Sequence, residues 1–585
     1  MKLSRIEDSR VCTRLGFPPI LTLVLSLLLL PLFIACQAVP DTAYHPVTEI
    51  EMPPALPVEQ ETNFARIRPR SRDEIVVAFS RASIQLDFRK SYLANEAQLF
   101  TAIYEGLFSY HPLTMEPIPA AASGWTLSED RRQWTFFIRP NARFHNGDPL
   151  RAEDFRAAWL SMIDPQRNAP YSSMFDIIEG ARDFRLGSGA IEDVGIFAPA
   201  ERILIVRLNS PVSFFPSMLC HHSFNPIHPS MLHQENWTAS RLITNGPFYI
   251  AEMDDDHIVF ARNPYYWDVR RVSVDRIVIR FVDSGEEAAA MWNAGEVHWI
   301  QGAVDLDTLM DRGNIQVNAM FATHYYFIRS ARQPWDDFRL RRALSLVLPW
   351  EEIREDHILP ATTLIFPIPG YPRVRGLDTV NVEEARRLFA EAGYAGGVGL
   401  PELVIRIPPS QDAQRISGLM ADAWRYNLGV QVRIDIVPFA QYLESLRLDD
   451  YDVGTVTWIG DFADPWTFLK MWCSDSNLNN AHHSDAEFEA LLDRSMTEEG
   501  AQRWETLAEA EALLLSRGNV LPISFGLALN IINLNEIQGW YPNVLDIHPF
   551  KYMGFRELRP LPGVAAELPE FQYLSSHFNF EGFRY

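Results

Sequence analysis

At 585 residues the chain is too long for one ordinary core and is expected to divide into roughly two to four domains. Its composition, 47% hydrophobic, 22% charged and 12% aromatic, excludes a generally disordered chain. A formal net charge of -23, with only four lysines (Lys2, Lys90, Lys470 and Lys551), repels phosphate backbones and excludes a nucleic-acid partner, leaving solubility as the plain reading of the acidity.

The chain opens on an export signal. Lys2, Arg5, Arg10 and Arg14 make a basic start, diluted by Glu7 and Asp8, and an apolar run follows from Phe17 to Ala35. Basic start, apolar core and a small residue before a break mark a signal peptide. Ala35 stands directly before Cys36, the arrangement a lipoprotein signal peptidase cuts. Residues 1–35 are therefore expected to be removed and Cys36 to carry the lipid. Phe33 replaces the aliphatic residue of the common lipobox, which makes the box a loose one. The alternatives are an uncleaved membrane anchor, since the run nearly spans a bilayer, and simple secretion. Residues 36–72, rich in Pro, Glu and Thr, read as a flexible tether.

Folded signals begin at Asp73 to Phe79, a buried-strand run. Thr135 to Arg139 reads as a strand closed by Pro140-Asn141. Arg276 to Phe281 alternates charged and apolar residues, as a half-buried strand does. Val382 to Gly393 is an amphipathic helix with Ala385, Leu388, Phe389 and Ala392 apolar and Gly393 as its stop. Gln431 to Val437 is another alternating strand. Helix and strand patterns alternate to the end without a repeat of fixed period, which argues for an α/β protein. Beyond Cys12 in the signal and Cys36, only Cys220 and Cys473 remain, enough for one disulfide if their side chains meet.

Ordered segments then carry a resemblance. They start with Ala122-Ser123-Gly124-Trp125, Trp134-Thr135-Phe136 and Phe144-His145-Asn146-Gly147-Asp148-Pro149-Leu150, with Glu153 and Asp154 at a helix start. Thr244-Asn245-Gly246-Pro247-Phe248-Tyr249 and Arg262-Asn263-Pro264-Tyr265-Tyr266-Trp267 follow, then Ala294-Gly295-Glu296 and the helix Phe338 to Leu344. Last come Trp458-Ile459-Gly460-Asp461-Phe462-Ala463-Asp464-Pro465 and Tyr541-Pro542-Asn543 with Asp546 to Phe550. Together they resemble the oligopeptide- and dipeptide-binding proteins of ABC importers, over residues 74 to about 557. The tail from about Arg559 matches nothing in that pattern.

The resemblance implies a two-lobed periplasmic-binding-protein fold, type II-like, with an extra inserted domain. Lobe I would be 73–107, 237–322 and 526–585, the inserted domain 108–236 and lobe II 323–525. The chain would cross between lobes twice, near Phe321-Ala322 and Ser524-Phe525. Two parallel crossings make a hinge, and hinge closure buries a ligand. The implied function is capture of short peptides outside the cytoplasm by a lipid-anchored monomer that delivers them to ABC importer permease subunits. No catalysis, cofactor or metal is implied.

Asp461 is the central site residue on that resemblance, accepting the ligand's α-ammonium group. A peptide taken out of water brings a positive N-terminus that needs a fixed hydrogen-bonding anion. The other reading is a solvated loop aspartate. Asp464, before Pro465, reads as a turn or helix cap. Trp458 would line the pocket or sit in the core, and Tyr171 would touch the peptide or lie on a surface loop. Ile459 joins this set. Leu93-Ala94-Asn95-Glu96 matches a first-lobe edge that pairs with peptide backbone, placing Ala94 at the ligand. Thr455 replaces an arginine of relatives, Ile459 a half-cystine whose partner position is Ala322, and Pro522 to Gly526 a tyrosine-rich run, so ligand length and side-chain preference do not carry over.

A hydrolase is excluded by the absence of Gly-x-Ser-x-Gly and His-Glu-x-x-His patterns. The better rival is a metal chelate or other non-peptide solute on the same fold. His221-His222 and His482-His483 are adjacent pairs, however, and neighbours in sequence rarely converge on one metal without further ligands. They read as solvated or core histidines. An adhesive or sensing surface lipoprotein is a third class.

Overall fold

A computed structural model describes residues 45–46, 72–302 and 304–556. The signal sequence, Cys36, most of the tether and the tail from Arg559 lie outside the described residues.

Strand β1 (Glu74–Ser80) buries Ile75, Val77, Ala78 and Phe79, as its apolar run demands. Helix α1 (Ala94–Ile103) follows. The chain then builds a small antiparallel sheet from β2 (Ala122–Leu127), β3 (Gln133–Ile138), β4 (Ile196–Ala200) and β5 (Ile203–Arg207), in the order β2-β3-β5-β4. His45–Pro46 pairs along the free edge of β2. Gly147 takes φ +91° in the turn that leads to α2 (Ala152–Met162), a conformation open to glycine. At that helix start Asp154 accepts a hydrogen bond from the Arg151 backbone N–H at 2.7 Å.

The chain returns to flank β1 with β6 (Phe248–Met253), β7 (His257–Arg262), β8 (Arg276–Val282) and β9 (Trp299–Gln301). It then enters β10, fourteen residues long (Ile315–Ile328). Beyond it α3 (Val382–Glu391) is capped by the Asn381 side chain, which accepts from Glu384 N–H, and Gly393 takes φ +92° just past its end. Strands β11 (Leu403–Ile407) and β12 (Val432–Ile436) pair in parallel across α4 (Gln411–Leu428). Helix α5 (Phe439–Ser445), β13 (Val453–Ile459) and β14 (Val520–Ile532) complete the parts that matter here.

The large sheet has ten strands in the order β12-β11-β13-β10-β14-β9-β1-β8-β7-β6. This is the two-lobed, type II-like α/β fold. Its two halves are joined through β10 and β14. Ile315 to Ala319 pair with Ile531 to Leu527, and after an irregularity Thr323 to Phe327 pair with Phe525 to Val520. Beside the first stretch lies β9, and beside the second β13. The passage between halves thus falls in the middle of two long strands, around Phe321-Ala322 and Phe525-Gly526, and the strands run antiparallel to each other. A Cβ at Gly526 would stand 2.7 Å from Ala322 Cβ, so only glycine allows the strands this close there. Ala322 pairs with Ile459 in register across β10 and β13. Cys220 and Cys473 are both free thiols.

The small sheet and its helices meet the β11–β13 half of the molecule at several places, two of which stand away from the cavity described below. In one, Phe214 stacks on Phe462 at 5.7 Å and Arg503 lies over the Phe214 ring at 4.3 Å. In the other, Arg185 forks onto the Asp176 carboxylate at 2.8 and 2.7 Å and also reaches the Asp475 carbonyl at 2.9 Å and carboxylate at 3.2 Å. Arg182 adds a 2.8 Å bond to Asp475, and Lys470 Nζ lies 3.3 Å from Asp176 and 3.4 Å from Asp475. Side chains of Arg185, Asp176 and Asp475 are only 6%, 8% and 11% exposed, so this is a buried ion cluster and not a surface pair.

Candidate functional site

A cavity of about 200 Å³ lies between the two halves of the molecule. Its walls bring together Ala94 at the start of α1, Tyr171 and His221-His222 from the segments around the small sheet, Leu443 and Arg447 at the end of α5, and residues 456–461 at the end of β13. Asp461, Trp458, Tyr171, Ile459 and Ala94 therefore all border one space. Ala94 does so as the first residue of a helix and not on a strand edge.

The route of the chain fixes Asp461. Strand β13 ends at Ile459, and Gly460 N–H donates to the Phe321 carbonyl at 2.8 Å, carrying the pairing one residue further. A Cβ at Gly460 would lie 2.5 Å from the Phe321 ring, which is why glycine precedes the aspartate. Asp461 N–H then donates to Thr467 Oγ1 at 3.0 Å, while the Thr467 hydroxyl donates back to Asp461 Oδ2 at 2.6 Å. The Tyr110 hydroxyl holds the Asp461 carbonyl at 2.8 Å. One carboxylate oxygen is thus anchored.

The other oxygen, Oδ1, faces His221 Nε2 at 3.6 Å, and the Tyr171 hydroxyl hydrogen-bonds to the same carboxylate. Ser223 N–H donates to His221 Nδ1 at 3.3 Å, which places the imidazole proton on Nε2, toward Asp461. Burial, and then His222 beside it, holds His221 well below the usual histidine range, and burial takes His222 down to about 3. Both rings are neutral at physiological pH. The Asp461 side chain is 9% exposed, and burial pushes its carboxyl up to about 7 against the pull of the Thr467 and Tyr171 hydroxyls. It is a dry carboxylate without a cation: among the described residues, the one basic group within 4 Å is the neutral His221.

Asp464, three residues on, is the opposite case. Arg503 binds it through both oxygens at 2.7 and 2.8 Å, and Asp464 Oδ1 accepts from Trp466 N–H at 2.9 Å. It caps and pairs, and it is satisfied. Trp458 is half-buried, with an indole N–H that finds no partner among the described residues. Ile459 packs on Met320, Ala322 and Ala528 while bordering the cavity. Sequence reasoning missed Tyr110, His221 and Thr467. His221-His222 was visible as a dipeptide, but its position beside Asp461 depends on a contact between segments far apart in sequence. His483 is a core histidine bonded to the Trp472 carbonyl at 2.8 Å. Among the described residues no three His, Cys, Asp or Glu side chains gather to hold a metal ion.

The model of the bacterial extracellular solute-binding proteins, family 5 Middle, matches residues 116–480. The chain belongs to this family. It is a binding protein and not an enzyme. Among relatives, it is 27% identical over 435 residues to the oligopeptide-binding protein OppA of Bacillus subtilis, covering 70% of this chain and 80% of that protein. Haemophilus influenzae OppA in complex with RPPGFSPFR superposes with a TM-score of 0.75 at 22% identity, covering 83% of this chain and 99% of that one. The Escherichia coli murein tripeptide-binding protein MppA gives 0.75 at 23% identity, again over 83% and 99%. Its unliganded open form gives only 0.59 at 24% identity, over 83% and 98%.

Proposed function

We propose that this protein captures short peptides by their α-ammonium group at Asp461, closing two lobes around them, and hands them to an ABC importer. The observation that carries the reading is the buried Asp461 carboxylate, which faces the interlobe cavity with no cation beside it. A charge left dry and unpaired is costly, so such a group is kept for a partner that arrives with the ligand. The names of the relatives, oligopeptide- and dipeptide-binding proteins, supply the class of ligand that brings an ammonium. Lobe I is taken as 73–107, 237–322 and 526–585, the inserted domain as 108–236 and lobe II as 323–525, with the hinge in β10 and β14. Trp458, Tyr171, Ile459 and Ala94 would form the walls around the bound backbone. Native mass spectrometry of the purified protein is expected to release a ladder of short peptides. A single non-peptide solute, or a metal chelate, would replace this reading.

The monomeric binding part would hang from a bacterial membrane by lipid on Cys36, through the 36–72 tether. Changing Cys36 to serine is expected to abolish incorporation of radiolabelled palmitate and leave ligand affinity within error of wild type. Palmitate entering Cys36→Ser at the wild-type level would rule the anchor out.

A further inference from the structure

The walls beyond Asp461 say what kind of side chain follows the anchored ammonium. Of the groups bordering the cavity, Asp461 is the one acid and Arg447 the one permanent cation. The Arg447 side chain is 55% exposed and lies near Glu444 at 3.6 Å, so it stands at the mouth and not within. His221 and His222 are neutral. Apolar lining comes from Val456, Trp458, Ile459, Met471 and Leu478, with the uncharged Thr457, Asn477 and Asn480 beside them. Three of these, Val456, Met471 and Leu478, also border a small recess of about 10 Å³, lined further by Tyr325, Phe327 and Trp472 with Asn479 and Asn480.

Resting on the reading that Asp461 takes the ammonium, we infer that the first side chain of the ligand is apolar, of leucine or methionine size, held between Val456, Met471 and Leu478. A lysine or aspartate side chain placed there would leave water with no counter-ion in reach, and a buried charge without a partner is strongly disfavoured. An apolar side chain replaces water against apolar walls, and the flexible thioether of Met471 adjusts to its shape. The small recess limits length, because Tyr325 and Trp472 on its wall are 1% and 2% exposed and belong to the packed core. Trp458 and Ile459, on the strand that carries Asp461, bound the same space. Selectivity at the first residue therefore comes from the absence of charge in the walls.

Calorimetry with the full-length protein and five tripeptides tests this: Leu-Ala-Ala, Met-Ala-Ala, Lys-Ala-Ala, Asp-Ala-Ala and N-acetyl-Leu-Ala-Ala. Leu-Ala-Ala and Met-Ala-Ala are expected to bind within tenfold of each other, and the lysine and aspartate forms about a hundredfold or more weaker. Replacing Val456 by aspartate is expected to reverse the order, favouring Lys-Ala-Ala. If all four free peptides bind wild type within tenfold while the acetylated one fails, the side-chain inference is overturned and the peptide reading stands. If the acetylated peptide binds as well as the free one, the ammonium reading falls and the inference falls with it.

Discussion

Changing Asp461 to alanine is expected to weaken peptide binding several-hundredfold or more while leaving the protein folded. Losing one partner of a buried ion pair typically costs roughly 3 to 5 kcal/mol, since the other charge stays dry. Acetylating the peptide removes the same pair from the other side, so the two losses should not add when combined. Calorimetry on both proteins with free and acetylated peptide closes that cycle. If wild type binds the two peptides equally, Asp461 is not the amine anchor. The pH profile follows from the same pair. Asp461 must be ionised and the peptide amine protonated, so affinity should rise as pH passes about 7 and fall again above about 8, where a free α-amino group loses its proton. In the ligand-free protein the sign is reversed. The carboxyl is raised from 3.8 to about 7 on folding, so the unfolded chain loses its proton first and stability declines as pH climbs between those values. Asp461→Asn should melt higher than wild type above pH 7 and alike below pH 4, the mark of a residue kept for binding at the expense of stability.

Removing Asp475 is expected to shorten the lifetime of the bound state by about a hundredfold or more without touching the ligand. Asp475 joins Arg182, Arg185 and Lys470 across the two halves of the molecule, and without it these three cations keep Asp176 as their nearest acid. With the lobes closed, Arg185 and Lys470, 6% and 16% exposed, would repel with little water between them, while Arg182, 50% exposed, stays screened. In an open state they regain water, so the penalty falls on closure. Stopped-flow release of a labelled peptide should accelerate in Asp475→Ala, and added salt should accelerate it less than in wild type, because the ion cluster it would screen is already broken. Small-angle scattering with saturating peptide should show a larger radius of gyration for the variant than for wild type. This loss, unlike acetylation, should add to that of Asp461→Ala, since the two sites share no partner. Unchanged release would mean that the cluster is bystander chemistry.

Local order was well legible in the sequence. The alternation of Arg276 to Phe281, the Asn381 cap and Gly393 stop around α3, and the positive-φ glycine of Asn146-Gly147-Asp148 each depend on residues a few positions apart. Those signals alone gave an α/β protein, and the two lobes came from the resemblance that the ordered segments carry. What stayed hidden depends on distance along the chain. His221 reaches Asp461, Tyr110 reaches its carbonyl, and Arg185 reaches Asp475, each across hundreds of residues. No periodicity reports such meetings. Asp461 and Asp464 share a motif and differ in kind only because Arg503 folds back onto one of them. Ala94 does border the cavity, yet its helical setting was not readable, since Leu93 offers no side-chain cap to announce a helix start.

The passage between halves, laid in the middle of β10 and β14, has a mechanical consequence. Two flexible linkers would let the lobes swivel and wander about each other. Here both passages belong to one hydrogen-bonded ribbon, paired on either side of the Ala319–Thr323 irregularity with a second register shift at His324–Tyr325. Such a ribbon bends about an axis lying across its strands and resists sliding or shearing, because either would break its ladder. At Gly526, where the strands come closest, a side chain would wedge the bend. If the proposed closure occurs here, motion would be reduced to a single coordinate, and each closing stroke would return Asp461, Tyr171 and the ion cluster to the same alignment. Much of the orientational search that two loosely tethered bodies would repeat at every capture is settled once, when the sheet folds.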